Sequence, residues 1–553
     1  MPEPLTLAQF VARWKAATLT ERSGAQQHFI DLCEVLGQPR PAAVDQTGQT
    51  YTFEKGVTTT GGGHGWADVW KRGHFAWEYK GRHKDLGAAY QQLQRYREDL
   101  QNPPLLVVCD LDRFEVHTNF TNTVKLVYAF DLADLASLAP TPGTHGLPPL
   151  DVLRAVFADP ERLRPGTTPA QVTERAAAEF ARLADSMRRR GADPEQAAHF
   201  LMRLLFCLFA EDIGLLPMQP LTQLVTNWQS IPSQFQQSLR GLFATMATGG
   251  AFGPYAIPFF DGGLFADDTA LELTVEDLRV LARVAALDWA SVEPAIFGTL
   301  FERSLDPDKR SQLGAHYTSR DDIELIVEPV LMAPLRRRWA EVRARADEAV
   351  ARRDAVLREL GGRRDAAAER TRRQHEEAVE RLLRAFADEV AGVRVLDPAC
   401  GSGNFLYVAL KHLLDLEKEV NAYRANNRMT PLFPLVEPAQ LHGIEVNPYA
   451  RELAQVVVWI GYIQWLNDNG YNVPAQPILK PLDNIALMDA IMAHDASGLP
   501  VEPPWPQADV IIGNPPFLGG KRLRTELGDE YVNELFRLYE GRVPHEADLS
   551  RSM

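Results

Sequence analysis

The chain is short of cysteine, of long uninterrupted apolar runs and of surplus positive charge, and each shortage closes off a class of protein. Of 553 residues only four are cysteine: Cys33, Cys109, Cys207 and Cys400. None belongs to a CxxC pair, and each lies in an apolar or tight-turn context. A disulfide-stapled secreted domain and a cysteine zinc site are both excluded, and reduced, buried thiols in a cytoplasm are expected. The N-terminal stretch "MPEPLTLAQFVARWK" lacks the charged-then-apolar pattern of a signal peptide. The most apolar stretch, "FLMRLLFCLFAEDIGLLP", is broken by Arg203, Glu211 and Asp212, so it reads as a buried helix and no membrane partner is expected. The formal net charge of −15 does not advertise a nucleic-acid binder. Binding needs only a local basic groove, however. Lys71, Arg72, Lys80, Arg82, Lys84, Arg95 and Arg97 give such a concentration; read alone, they make a solvated charged face. Two motifs are also missing. There is no G-K-[ST], so no P-loop, and "HEEAV" at His375 lacks the second histidine of a zinc-protease helix.

What is present is length enough for several domains. Residues 1–140 mix helical spacing ("LTLAQFVARWKAA", "AQQHFIDLCEVLG", "LGAAYQQLQRYREDL") with strand-like runs ("HFAWEYKG", "PLLVVCD", "RFEVHTNF"). A Pro/Gly/Thr stretch, "LAPTPGTHGLPPL", marks a linker. Residues 150–295 read as a helical connector with no catalytic motif. A third region, 296–553, contains an Arg/Glu/Ala-rich arm at 333–390, two long helices turning at Gly361-Gly362. From 391 the pattern becomes strand–turn–helix, which predicts a parallel sheet covered by helices. The fold class is therefore multidomain α/β.

Two glycine-containing turns carry chemistry. In "LDPACGSGNF", Asp397 ends a strand and Ala399, Gly401 and Gly403 follow. Small residues there let a backbone approach a ligand at a strand's carboxyl end. By itself this is a tight turn. Glu445 in "HGIEVN" ends the next strand, where an acidic group takes a ribose diol. The gap between the two is too long for a plain dinucleotide fold, which disfavours NAD. In "ADVIIGNPPF", Asn514 offers a side-chain carbonyl and Pro515 a backbone carbonyl, with Pro516 and Phe517 following. Two acceptors could take both hydrogens of an exocyclic amino group and Phe517 could stack on its base, which must first be flipped out of a duplex.

At these residues the chain resembles amino-group DNA methyltransferases that use S-adenosylmethionine. The resemblance covers roughly 295–553 and includes "GAHYTSRDDI". It implies that Tyr317 and Thr318 line the cofactor pocket and that Asp397, Ala399, Gly401 and Gly403 form its floor. Glu445 would hold the ribose and Asp489 would meet the adenine amino group, with Asp483 in "LDNI" as a competitor. Asn514, Pro515, Pro516 and Phe517 would hold the target base. The order of motifs matches the adenine-N6 class.

Near the other end, "DVWKRGHFAWEYKG" places Asp68 nine residues ahead of Glu78-Tyr79-Lys80. In a strand, Glu78 and Lys80 share a face. Two carboxylates, Asp68 and Glu78, can hold Mg²⁺, and the lysine can orient a water against a phosphodiester. Arg82 and Lys84 would attract phosphates. With the preceding "TTGGGHG" and a following helix carrying Gln91 and Gln94, the segment is similar to the PD-(D/E)XK nuclease core, and Glu34 is a further acidic candidate. The whole arrangement (nuclease-like start, helical connector, adenine methyltransferase) resembles the Type IIL, MmeI-like restriction–modification enzymes of phage defence. That resemblance implies double-stranded DNA as substrate and both activities on one polypeptide.

The chain ends soon after Phe517, at "VPHEADLSRSM". The expectation is a C-terminally truncated product without a target-recognition domain, or one completed by a second chain, incapable alone of site-specific methylation or cleavage. Three other readings remain: a methyltransferase with an inert N-terminal domain, a protein-glutamine methyltransferase, and a non-catalytic remnant.

Overall fold

The computed structural model describes the chain apart from residues 1–4, 18–20, 59–63, 138, 261–262, 295–317, 319, 362–364, 428, 431, 472–482, 517–519 and 544–553. It divides into two compact units: residues 1–171 with 421–433 and 466–472, and residues 172–420 with 434–465 and 473–553.

The first unit opens with helices α1 (Leu7–Ala16), α2 (Glu21–Leu36) and α3 (Pro41–Val44). A six-stranded sheet follows: β1 (Tyr51–Thr58), β2 (His64–Lys71), β3 (Phe75–Tyr79), β4 (Leu105–Cys109), β5 (Arg113–Thr118) and β6 (Val127–Asp131), in that spatial order. Helix α4 (Leu86–Tyr96) crosses between β3 and β4, which pair in parallel, while the other neighbours are antiparallel. The parallel pair needs this crossover, since a tight turn can join only antiparallel strands. Strand alternation then decides the core. Phe75, Trp77 and Tyr79 point to an aromatic cluster with Phe10, Trp14, Phe29 and Phe114. Ala76, on the opposite face, packs with Leu86, Ala89 and Leu93 of α4. With both faces covered, β3 and β4 are buried along their whole length.

The Pro/Gly/Thr stretch at 138–150 does not act as a loose linker. Thr144 is fully buried, and Gly143 lies so close to the carbonyl of Ala129 in β6 that a Cβ would not fit. Helix α5 (Leu132–Ser137) precedes it. Helix α6 (Pro149–Ala158) then carries Val152, Leu153, Val156 and Phe157 into the N-terminal core, which runs on to Leu163. The apolar face of α6 pulls the chain back onto the sheet, a pull that turn-forming residues alone do not reveal.

The second unit begins as helices: α7 (Pro169–Arg189), α8 (Pro194–Asp212), α9 (Pro220–Trp228), α10 (Pro232–Thr248) and α11 (Val275–Ala285). Four of the five start on proline, whose missing N–H is no loss in a first turn. A short hairpin, β7 (Gly250–Phe252) with β8 (Tyr255–Ile257), interrupts them. Arg203 on α8 is fully buried; its guanidinium donates to the carbonyls of Leu264 and Thr269 and to Asp267. The polar residue that breaks the most apolar run of the sequence is thus a buried tie.

Helix α12 (Arg320–Val327) continues through one π-turn at Glu328–Met332 into α13 (Ala333–Leu360). The turn contains Pro329, which has no N–H for the regular ladder. Gly361, at φ +53, ends α13, and α14 (Ala366–Ala391) folds back. Leu335, Trp339, Val342 and Ala346 on α13 meet a seam of Val379, Leu383, Phe386 and Val390. Both series have the alternating four- and three-residue spacing of an antiparallel coiled coil. The parallel sheet comes next: β9 (Val395–Asp397), α15 (Asn404–Asn426), β10 (Leu441–Glu445), α16 (Pro448–Asp468) and β11 (Ile485–Leu487). A small hairpin of β12 (Ala493–His494) and β13 (Pro500–Val501) precedes β14 (Val510–Ile511), α17 (Gly520–Leu527) and α18 (Asp529–Leu538). The spatial order is β11-β10-β9-β14, parallel throughout. The chain as a whole is a mixed α/β protein. Its four cysteines are free and buried. Among the described residues no helix is long and apolar enough to cross a membrane.

The Arg203 tie yields a stability prediction. Arg203→Ala leaves buried acceptors without a donor and lowers unfolding free energy by about 3–5 kcal/mol. Arg240→Ala, which breaks an exposed pair with Asp268, changes it by less than about 1 kcal/mol. Urea titration of both variants separates the two; equal losses would mean the burial of Arg203 is not what matters.

Candidate functional site

In the second unit the parallel register lines up the strands' carboxyl ends. Gly443 of β10 lies opposite Asp397 of β9, and Ile511 of β14 lies opposite Leu396. Asp397, Glu445 and the turn beginning at Gly513 therefore emerge on one edge. A Cβ at Gly513 would come 2.5 Å from Asp397 Oδ1, so only glycine lets the turn lie against that carboxyl. The chain runs from β9 to β10 to β11 on one side, then returns to place β14 on the other. The gap between β9 and β14 is thus the switch point where open α/β sheets bind ligands.

Asp397 is buried, and Oδ1 accepts the backbone N–H of Ala399 at 3.1 Å. Burial, and then the nearby Glu445, push its pKa up to about 7. Glu445 accepts from Gly401 N at 2.9 Å through Oε2 and from Asn447 N at 2.8 Å through Oε1. Burial raises its pKa too, against the pull of those backbone donors. Gly401 and Gly403 have φ of +51° and +80°. A Cβ at Gly401 would meet nothing within 4 Å, whereas one at Gly403 would press on Ala454 of α16 at 3.0 Å. The loop is therefore held to α16 at one glycine and open at the other. Asn404, first residue of α15, has a buried Oδ1 with no partner.

Asp489 stands two residues past the end of β11, on the same edge as Asp397 and Glu445, while Asp483 precedes that strand and lies at its amino end. Its Oδ1 accepts from Ile491 N at 2.8 Å and Met492 N at 3.3 Å, and its Oδ2 from the Tyr531 hydroxyl at 2.6 Å. Asn514 is exposed in the turn after β14, and Pro515 and Pro516 are half-buried. Asn514 Nδ2 donates to Thr318 Oγ1 at 3.1 Å. Thr318, Asp397, Ala399, Gly401, Glu445 and Asn514 thus belong to one constellation, while Tyr317 and Phe517 lie outside the described residues. Asn404 and Tyr531 were not singled out in the sequence. Asn404 could have been, since it directly follows the glycine loop, but nothing local marks Tyr531.

In the first unit Glu78 is buried, and its Oε1 accepts from Lys80 Nζ at 2.8 Å and from Gln92 Nε2 at 2.7 Å. Lys80 Nζ also donates to Gln92 Oε1 at 3.2 Å. Gln92 on α4 is the helix residue that meets the pair. Asp68 on β2 accepts from Tyr79 N at 2.7 Å, so its side chain bonds to the backbone of the strand that carries Glu78. Two other side chains singled out in the sequence have partners within the unit. Glu34 accepts from the Leu5 N–H and from Arg40. Arg82 donates to the carbonyls of Trp14, Lys15 and Ala17, around the end of α1, and so braces that helix end.

The upward shifts of Asp397 and Glu445, joined in the same unit by those of Glu211, Asp212 and Glu417, set a pH dependence. A carboxyl kept neutral in the fold but ionised in the unfolded chain stabilises fully below its unfolded pKa of about 4, and that contribution is lost as pH rises through the folded value. Stability of the second unit should therefore fall between about pH 4 and about pH 7, by something on the order of a few kcal/mol. Asp397→Asn should flatten this slope in calorimetric scans; an unchanged slope would assign it to other groups.

Comparison with known proteins adds three consecutive matches to models of one family: the MmeI N-terminal domain at residues 5–190, the MmeI helicase spacer domain at 195–265 and the MmeI DNA-methyltransferase domain at 369–543. DNA methyltransferase A of Bacillus subtilis is 26% identical, over 67% of this chain and 40% of its own length. A Methanocaldococcus jannaschii protein named as a type II restriction enzyme and methyltransferase is 25% identical, over 50% of this chain and 25% of its own. The chain thus spans well under half the length of either relative. Among solved structures, the Type IIL restriction–modification enzyme MmeI in complex with DNA is 23% identical, with a TM-score of 0.49, over 68% of this chain and 47% of that one. The DrdV–DNA complex is 14% identical, with a TM-score of 0.30, over 99% of this chain and 48% of that one. The three family matches follow one another in order and together cover well over half of the sequence, and the chain belongs to the Type IIL, MmeI-like restriction–modification family, with that family's DNA-methyltransferase domain in its C-terminal part.

Proposed function

We propose that the second unit is a Rossmann-like core that transfers a methyl group from S-adenosylmethionine to adenine N6 in DNA. The observation that carries this is the Asn514–Thr318 hydrogen bond at the β9/β14 switch point. An amide that donates through Nδ2 to Thr318 keeps Oδ1 as an acceptor. Asn514 Oδ1 and the Pro515 carbonyl take the two amino hydrogens of an extruded adenine and leave its nitrogen lone pair directed at an electrophile. Phe517, which lies outside the described residues, would stack on the base. The residues around the glycine loop fit the cofactor. Open space lies over Gly401, and Asn404 has a buried acceptor still to be satisfied. Glu445 has acceptor capacity beyond its two backbone partners for a ribose diol. When bound, S-adenosylmethionine supplies the electrophilic methyl group; the chain's part is to bind, orient and exclude water.

The first unit is proposed to be a PD-(D/E)XK-type endonuclease acting on double-stranded DNA. Asp68 and Glu78, on neighbouring strands, supply carboxylate oxygens, which suits Mg²⁺ because that ion keeps several of its waters. Among the described residues no group of three or more His, Cys, Asp or Glu is gathered into a fuller cage. Mg²⁺ would supply Lewis acidity toward the phosphodiester. Lys80, held by Glu78 and Gln92, orients the attacking water. Together the two units would serve restriction–modification and phage defence in a cytoplasm, with the helices that follow residue 171 as a connector between the two activities.

Two measurements test these readings. With labelled cofactor and DNA, Asn514→Ala should lower methyl transfer at least about a hundredfold and Thr318→Val about tenfold, with N6-methyladenine as the product. Label recovered as N4-methylcytosine, or on protein glutamine, would overturn the substrate assignment. Separately, Lys80→Ala should abolish Mg²⁺-dependent DNA cleavage and leave methyl transfer intact; cleavage surviving in that variant would place the nuclease elsewhere.

A further inference from the structure

Helix α18 lies against the loop that follows β11, and its contacts are polar as well as apolar. Val532, Leu535 and Tyr539 pack with Ile491 and Leu523. On the same face, the Tyr531 hydroxyl donates to Asp489 Oδ2 at 2.6 Å, Glu534 pairs with His494 at 3.0 Å, and the Tyr539 hydroxyl, just past the helix end, donates to the Ile491 carbonyl at 2.8 Å. The spacing 531, 534, 535, 539 is that of one helical face. An ionised carboxylate offers about four acceptor positions. Asp489 fills three, with Ile491 N, Met492 N and Tyr531 Oη. Its rotation is thereby fixed and one acceptor position is left. Burial, and next its bond to Asp489, hold the Tyr531 phenol well above its ordinary pKa, so it remains a donor.

We propose that Tyr531 is a positioning residue of the cofactor site: by donating to Asp489 it holds that carboxylate so that its last acceptor position meets the 6-amino group of the cofactor's adenine. This rests on Asp489 being the adenine contact. It makes α18, which carries none of the recognised motifs, part of how the site distinguishes adenine from other purines.

The test is calorimetric titration of the full chain with S-adenosylmethionine and with its hypoxanthine analogue, which has a carbonyl where adenine has the amino group. Tyr531→Phe should weaken S-adenosylmethionine binding about tenfold and shrink its preference over the analogue. Tyr539→Phe, which removes a hydroxyl of the same cluster, should keep that preference. If Asp489→Asn leaves the preference unchanged, the Asp489 assignment fails and the inference with it. If Asp489→Asn abolishes the preference but Tyr531→Phe retains it, Asp489 acts unaided and the inference is overturned. Tighter binding by Tyr531→Phe would also overturn it, since the hydroxyl would then be competing with the cofactor. Thermal melts accompany each variant; should Tyr531→Phe not fold, Tyr531→Gln, which keeps an N–H donor, should preserve the preference, and its loss there would overturn the proposal.

Discussion

The second unit depends on one constraint: β9 pairs in parallel with β10 on one side and β14 on the other. Parallel pairing forces all three strands to end on the same edge, and the side chains just past those ends have nowhere else to gather. Asp397, Glu445 and Asn514 are far apart in sequence and converge for that reason alone. Slipping β14 by one residue would turn its side chains to the opposite face and lift Gly513 off the Asp397 carboxyl. The fit of a glycine against that carboxyl therefore reports the register.

Convergence of carboxyl groups carries an electrostatic cost. Burial raises the pKa of both Asp397 and Glu445, and Glu445 further disfavours ionisation of Asp397. Backbone N–H groups of Ala399, Gly401 and Asn447 offset part of this. The glycine loop is thus more than a gap for a ligand: its amides support the acids it connects. The first unit solves a similar problem with side chains, where Lys80 and Gln92 surround the buried Glu78.

Most of this could be read in the sequence where a local rule applies. Strand alternation in "FAWEYK" gave Glu78 and Lys80 one face, and the "DPACGSGN" and "IIGNPP" turns announced strand ends. What was hidden had no local signal. That Gln92 meets Glu78 and Lys80 has no local mark, because helical phase relative to a distant strand is set by packing of Leu86, Ala89 and Leu93. The tie from Arg82 to the end of α1 has no local mark either, because a charge in a sequence looks alike whether it faces solvent or caps a helix. The Pro/Gly/Thr stretch reads as a linker in the sequence because its composition says nothing of the apolar α6 that follows. Asp483 and Asp489 look alike in the sequence, and only the bounds of β11 show that they stand at opposite ends of that strand.

The Arg82 brace has a practical side. Arg82, two places beyond Lys80, is joined to the end of α1 through the backbone carbonyls of Trp14, Lys15 and Ala17. Expression strategies commonly treat the first twenty residues of a protein as free ground for tags, cleavage scars or trimming. Here that ground is tied to the loop leaving the Glu78–Lys80 strand, so alterations at the amino terminus are changes to the neighbourhood of a candidate active site, and purification handles belong elsewhere.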